Sequence, residues 1–206
     1  MYIPASFQET DIDKQHDFIE QHSFATLISQ HDSEPIASHL PLLLDRKSSS
    51  NGRLIGHMAR ANPQWQSAAG QQVLAIFHGP HAYVSPSWYE AHNVVPTWNY
   101  IAVHAYGLFR LIEDHGRLLE IVSQTVRQYE SGRPQPWSID SPDPEFIDKL
   151  LSAIVGFEID IERLEGKWKL NQNHPPERRE KVIRGLRETA RHDEMQIGDW
   201  MDALSQ

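Results

Sequence analysis

The run Phe157-Glu158-Ile159-Asp160-Ile161-Glu162-Arg163-Leu164 alternates apolar and polar side chains. That period puts successive residues on opposite faces of an extended strand, so one face is dry and the other wet. A chain built on such strands needs a sheet packed on a core. Phe24-Ala25-Thr26-Leu27-Ile28, Ile36 to Leu44, Arg53 to Ala59 and Gln72 to Phe77 read the same way, and Val94 to Ile112 reads as one or two long strands bent near Gly107. The polar stretch Gln30 to Pro35 predicts a hairpin between the first two, and Asn51-Gly52 is a strong turn signal before Arg53. His78-Gly79-Pro80-His81 predicts a further turn. With about six or seven strands and helices inserted between them, the pattern is α+β with a mainly antiparallel sheet, compatible with a small barrel.

The helical segments are shorter and capped. Asp11 to Gln21 has apolar residues at Ile12, Phe18 and Ile19, and Asn62-Pro63 opens a helix through Ala69 that Gly70 closes. Leu118, Ile121, Val122, Thr125, Val126 and Tyr129 share one helical face. Four prolines make Ser131 to Pro144 a rigid connection into a helix reaching about Ile154, and from Pro175 the chain is charged and helical to around Trp200. At 206 residues the expectation is a single domain, 1–206, with a C-terminal helical extension over about 175–206.

Composition excludes several chemistries. Without cysteine there is no disulfide, thiolate metal site or cysteine nucleophile. The chain shows no leader at Met1-Tyr2-Ile3-Pro4-Ala5 and no apolar run long enough for a membrane span, so a cytoplasmic location and no membrane partner are expected. The formal net charge of −9 disfavours DNA. Arg178, Arg179, Lys181, Arg184, Arg187 and Arg191 are interleaved with Glu177, Glu180, Glu188, Asp193 and Glu194, the pattern of a solvated helix rather than of a nucleic-acid surface. Twelve histidines include His78 and His81, yet no HExxH or HxH spacing supports a metal site. Nucleophile-elbow, Walker and dinucleotide-binding motifs are absent too.

Four clusters can carry chemistry. His57-Met58-Ala59-Arg60-Ala61-Asn62-Pro63-Gln64 brings an arginine to a capped helix start, which suits an anion, although a strand-to-helix turn alone explains it. The segment from His78 to Tyr89 offers histidines and aromatic rings for a planar ligand, or for ordinary packing. In Thr97-Trp98-Asn99-Tyr100, period two puts Thr97 and Asn99 with Ile101 and Val103 on one face and Trp98 and Tyr100 on the other. A flavin needs both kinds of surface, polar groups for its pyrimidine edge and apolar packing for its dimethylbenzene end. Lys167-Trp168-Lys169-Leu170-Asn171-Gln172-Asn173 adds two lysines on one face and two amides, or is a polar strand end.

Taken in order, Ser38-His39-Leu40-Pro41, Gly56-His57-Met58-Ala59-Arg60-Ala61-Asn62-Pro63-Gln64-Trp65, Gly79-Pro80-His81-Ala82-Tyr83-Val84-Ser85-Pro86-Ser87-Trp88-Tyr89, Val95-Pro96-Thr97-Trp98-Asn99-Tyr100 and Lys167-Trp168-Lys169-Leu170 with Gln172-Asn173 resemble the PaiB-type FMN-binding negative transcriptional regulators, from Met1 to about Arg184. The resemblance implies a split β-barrel of the pyridoxamine-phosphate-oxidase-like kind, a homodimer, and FMN at the dimer interface. By similarity, Arg60 and Asn62 hold the phosphate, and His57 is a further cofactor-binding residue. Thr97, Trp98 and Asn99 lie near the ribityl chain or ring, and Lys169, Gln172 and Asn173 reach the flavin. Asn171 stands where the pattern has Ser and His174 where it has Arg, which implies a weaker hold on FMN if that segment closes over it. A small FMN-dependent oxidoreductase with a nicotinamide donor, or a haem-binding protein, fits the same fold class.

Overall fold

Period-two burial translates directly into the framework. The computed structural model describes residues 1–204. In chain order the elements are β1 (Gln8–Glu9), α1 (Ile12–Gln21), β2 (Phe24–His31), β3 (Glu34–Pro41), β4 (Leu43–Asp45), β5 (Arg53–Ala59), α2 (Gln64–Ala68), β6 (Gln72–Val84), β7 (Thr97–Ile112), α3 (His115–Glu130), α4 (Pro144–Leu151), β8 (Ile154–Lys169), α5 (Pro176–Glu188) and α6 (His192–Ala203), with short 3₁₀ turns at Ala5–Phe7 and Pro86–Tyr89. The strand order is β3-β2-β6-β7-β8-β5-β4, and β1 pairs with β8. The chain packs as two compact units. One comprises Met1–Gln15, His78–His104 and the chain from Glu165 on; the other comprises His16–Phe77 and Ala105–Leu164.

The second unit holds the regular core. β2 and β3 pair antiparallel from Phe24↔Pro41 to His31↔Glu34. Asp32 and Ser33 both take positive φ, which makes the hairpin turn two residues long and matches its twist to the strands. The predicted strand Ile36 to Leu44 divides at Leu42, whose N–H turns to the Ser23 carbonyl at 2.9 Å while its side chain enters the core. β5 runs antiparallel to β8 from Arg53↔Asp160 to Ala59↔Ile154, within the predicted bounds. Leu27, Leu54, Phe77, Phe109, Phe157 and Ile159 are fully buried, and Phe109 stacks on Phe157 at 4.7 Å. The segment read as one or two long strands is one, since β7 continues through Gly107. A Cβ there would sit 2.2 Å from the Asp160 carbonyl oxygen, so glycine permits the close approach of two backbones.

The predicted turn at His78-Gly79-Pro80-His81 does not form, since β6 runs through it to Val84. Buried positions are Val73, Ala75 and Phe77 before it and Pro80, Ala82 and Val84 after it. The buried parity therefore changes between Phe77 and Pro80.

In the first unit, β7 opens with Thr97 and Asn99 facing inward and Trp98 outward, as the alternation predicts. The charged C-terminal segment is two helices rather than one, broken where Ala190 takes φ +56°. Val182, Ile183 and Leu186 of α5 bury with Ile197 and Met201 of α6. α5 approaches the 3₁₀ turn so closely that a Cβ on Gly185 would lie 2.5 Å from the Trp88 indole.

Candidate functional site

Within the first unit, the start of β7, the end of β8, the turn after it and the first turn of α5 enclose a cavity of about 360 Å³. This is the lower part of the range of small-molecule sites, roughly 300–1,000 Å³. Thr97, Lys169, Asn171, Asn173, His174 and Arg178 supply its polar wall; Phe7, Tyr89, Val94, Val95 and Pro96 supply the apolar one.

Lys169 is delivered by the last residue of β8. Its ammonium donates to Thr97 Oγ1 and to the Trp98 carbonyl. Burial, and then the neighbouring Lys167, hold its pKa below the usual lysine value. Lys167 itself is buried, donating to the Tyr2 carbonyl at 3.0 Å and lying 5.1 Å from the Tyr100 ring centre.

β8 ends in a tight turn at Asn171, which takes φ +61°. Asparagine occupies that left-handed region at less cost than other non-glycine residues. Its buried side-chain amide donates to the Tyr89 hydroxyl at 3.2 Å. Gln172 closes the turn, accepting from Leu170 N at 2.8 Å and donating to the Trp168 carbonyl. The turn thereby presents Asn173 and His174 to the cavity. Arg178 lies 5.4 Å from the centre of the Tyr89 ring and donates to His174 Nδ1 at 3.2 Å. A guanidinium only donates, so Nδ1 is the acceptor and the imidazole proton sits on Nε2. Burial first, and then Arg178 and Lys169, lower the pKa of His174.

The residues predicted from sequence divide between the units. In the first, Thr97, Lys169 and Asn173 line the cavity. Trp98 contributes a carbonyl there, while its ring is 53% exposed beside His81 and Tyr83. Asn99 is fully buried; its amide nitrogen meets Met201 Sδ at 3.4 Å and its Oδ1 has no partner among the described residues. Gln172 serves the turn. In the second unit, Arg60 gives Nε to the Ser152 carbonyl and Nη2 to the Ile154 carbonyl, both at 3.0 Å. Asn62 donates to Ser38 Oγ at 2.8 Å and accepts from Gln64 N at 3.0 Å. His57 is mostly buried, which holds its pKa below the ordinary histidine value. Sequence reasoning held Tyr89 and Asn171 within candidate clusters without giving them a role, named His174 only as a departure from the pattern, and read Arg178 as a charge on a solvated helix. The available signal was the i,i+4 spacing of His174 and Arg178 at a helix start.

Comparison with known proteins bears on this arrangement. Residues 1–163 match the family described as "Putative FMN-binding domain". The chain is 37% identical over 203 residues to the "Protease synthase and sporulation protein PAI 2" of Bacillus subtilis, covering 98% of this chain and 97% of that protein. Among solved structures it is similar to the flavocytochrome Anf3 of Azotobacter vinelandii (TM-score 0.58, 15% identity, 79% of this chain and 69% of that one). It is also similar to an FAD and heme binding protein of Mycobacterium smegmatis (TM-score 0.56, 16% identity, 86% and 80%). At those identities the structural likeness establishes the split-barrel fold alone. The match in sequence goes further, and by it this chain belongs to the PaiB-type family of FMN-binding split-barrel proteins.

Proposed function

We propose that this chain binds FMN at the cavity of the first unit and works as a homodimeric negative regulator of transcription, read out by a partner rather than by turnover. One observation carries the flavin part. The cavity joins cationic, amide and hydroxyl groups on one wall to Phe7, Tyr89, Val94, Val95 and Pro96 on the other, and no carboxylate lines it. FMN requires that combination, with donors for a dianionic phosphate and a ribityl chain and apolar walls for a planar ring. When bound, FMN supplies one- and two-electron redox chemistry; the side chains bind and orient it.

The regulatory part is supported by the Bacillus relative, which is named for protease synthesis and sporulation. Net charge of −9 favours a protein partner over direct DNA binding. Tyr83 and Trp98, 43% and 53% exposed on neighbouring strands, support a dimer that covers them.

Titration of the purified chain with FMN, followed by flavin fluorescence, tests the reading alongside light scattering and NAD(P)H oxidation. Saturable quenching, a dimer mass and no steady turnover are expected. Sustained NAD(P)H oxidation by the FMN-loaded chain would replace the regulator with an oxidoreductase. Absence of FMN binding, with a Soret band on haem titration, would replace the cofactor.

A further inference from the structure

The second unit holds a cavity that the flavin reading leaves unused. The end of α1, the loop after it, β4 and the last two turns of α3 enclose about 460 Å³, within the size range of small-molecule sites. From α3 come Gln124, Arg127, Gln128 and, one residue past the helix, Ser131. Spaced i, i+3, i+4 and i+7, they share one helical stripe, and it is polar. The apolar wall is Leu42, Leu43 and Leu44, of which the last two stay partly exposed. A helix that served only to cover leucines would turn its apolar stripe to them. That stripe of α3 is used elsewhere: Leu118 and Ile121 are buried, and Leu118 packs on Gly156 of β8.

Charge singles out one unspent group. The carboxylate on the cavity wall is Glu20, and both its oxygens accept from Arg46, at 2.9 and 2.7 Å. Gln124 is occupied too, donating to Glu120 Oε1 at 3.2 Å. Among the described residues, the Arg127 guanidinium and the Gln128 side-chain amide have no hydrogen-bond or ion-pair partner. The cavity thus offers a planar cation and an amide beside an apolar wall, with its own carboxylate already neutralised.

We propose that this cavity binds a monocarboxylate carried on an apolar body, an aromatic or short aliphatic acid, independently of the flavin cavity. Arg127 takes the carboxylate with its planar fork, Gln128 adds an amide donor, and the leucines take the body. The ligand carries one negative charge rather than two. Arg127 lies in the last turn of α3, where the helix carbonyls concentrate negative potential, and Glu20 lines the same cavity. One cation in that setting balances a carboxylate and leaves a phosphate dianion undercompensated. A neutral alcohol of the same shape leaves the guanidinium unmatched. In the regulator proposed above, such a site is a small-molecule input besides FMN.

The test titrates the full chain, with and without FMN, with benzoate, hexanoate, benzyl alcohol and potassium phosphate at matched ionic strength. Calorimetry gives the affinities and amide chemical shifts give the place. Both acids are expected to bind saturably, with shifts at 42–44 and 124–131 that FMN does not alter, and benzyl alcohol to bind about fivefold or more weakly than benzoate. Arg127→Gln should weaken both acids by about fivefold or more, less than for a buried pair because Arg127 is exposed. Arg127→Lys should recover only part of that loss, since an ammonium lacks the fork. Arg127 bonds to no side chain, so Arg127→Gln should keep the wild-type Tm, and a lost affinity then reports a lost contact. Acid binding by Arg127→Gln within about twofold of wild type would overturn the proposal. So would shifts confined to Lys169–Arg178, or phosphate binding as tightly as benzoate at 124–131. Failure of the wild type to bind either acid would overturn it as well, the cavity then holding solvent alone.

Discussion

Arg60→Ala separates a structural role for this arginine from a role as phosphate anchor. Arg60 follows the last residue of β5, and its backbone N–H donates to the Ala153 carbonyl at 2.8 Å, a bond the substitution keeps. Trp65 Nε1 donates to the Arg60 carbonyl at 3.0 Å and is kept as well. What disappears is the fork from Nε and Nη2 to the Ser152 and Ile154 carbonyls, which ties the end of β5 to the exit of α4. Buried hydrogen bonds to a charged group contribute about 1.5–3 kcal/mol each. Arg60 is exposed, so solvent screening brings the pair down to roughly 1.5 kcal/mol together. For a chain of this size that is about 3–6 °C in Tm.

Urea unfolding of the apo chain and FMN titration of the same preparation give both readouts. The expected result is lower stability with FMN affinity within about twofold of wild type. Arg60→Lys should recover less than half of the loss, because an ammonium lacks the planar fork that spans two carbonyls. Undiminished apo stability together with FMN binding weakened about tenfold or more would refute the reasoning. Arg60 would then be the anchor, and the carbonyl contacts incidental.

Three further outcomes follow from the geometry. Gly185→Ala gains about 1 kcal/mol of helix propensity but pushes a methyl into Trp88. Overpacking of about 1–3 kcal/mol should prevail, giving a net loss in urea unfolding and weaker FMN binding as α5 moves Arg178. At Asn171, with φ +61°, both Ala and Gly lose the buried bond to Tyr89, and Ala should cost about 1 kcal/mol more than Gly for its left-handed backbone, measured by thermal unfolding. His57 is held below its ordinary value by burial, so as pH falls through about 6.5 the unfolded chain takes up the proton first and stability falls. Tm measured between pH 8 and pH 5 should decline on the acid side, and His57→Gln should flatten that decline.

Local periodicity located most of the framework and failed where a local signal had a non-local cause. β5 falls on the bounds read for it, and the strand read from Phe157 to Leu164 lies inside β8. His78-Gly79-Pro80-His81 carries every mark of a turn, yet β6 continues through it with a change in the buried parity. The break between α5 and α6 falls at Ala190 in a left-handed conformation, with no glycine or proline to announce it. The site divides by the same logic. Thr97 and Lys169 were legible because strand period sets their faces. Arg178 was read as one more charge on a solvated helix, because Tyr89, which places it, is far away in the chain.

The two departures from the family pattern bear on how such a cavity holds an anion. Asn171 in place of serine makes the turn after β8 easier to form, since asparagine accepts the left-handed backbone that the turn requires. His174 in place of arginine removes a permanent charge, but it supplies an acceptor for Arg178 that a second guanidinium could not. An arginine there would repel Arg178; the imidazole orders it. A cation whose position is already set loses less side-chain entropy on meeting its ligand. Charge count alone therefore underestimates the site: where the pattern has an arginine at 174, this chain has the contact that aims Arg178. The expectation of weaker FMN binding assumed that each lost charge subtracts independently, and the Arg178–His174–Tyr89 contacts are the reason it need not.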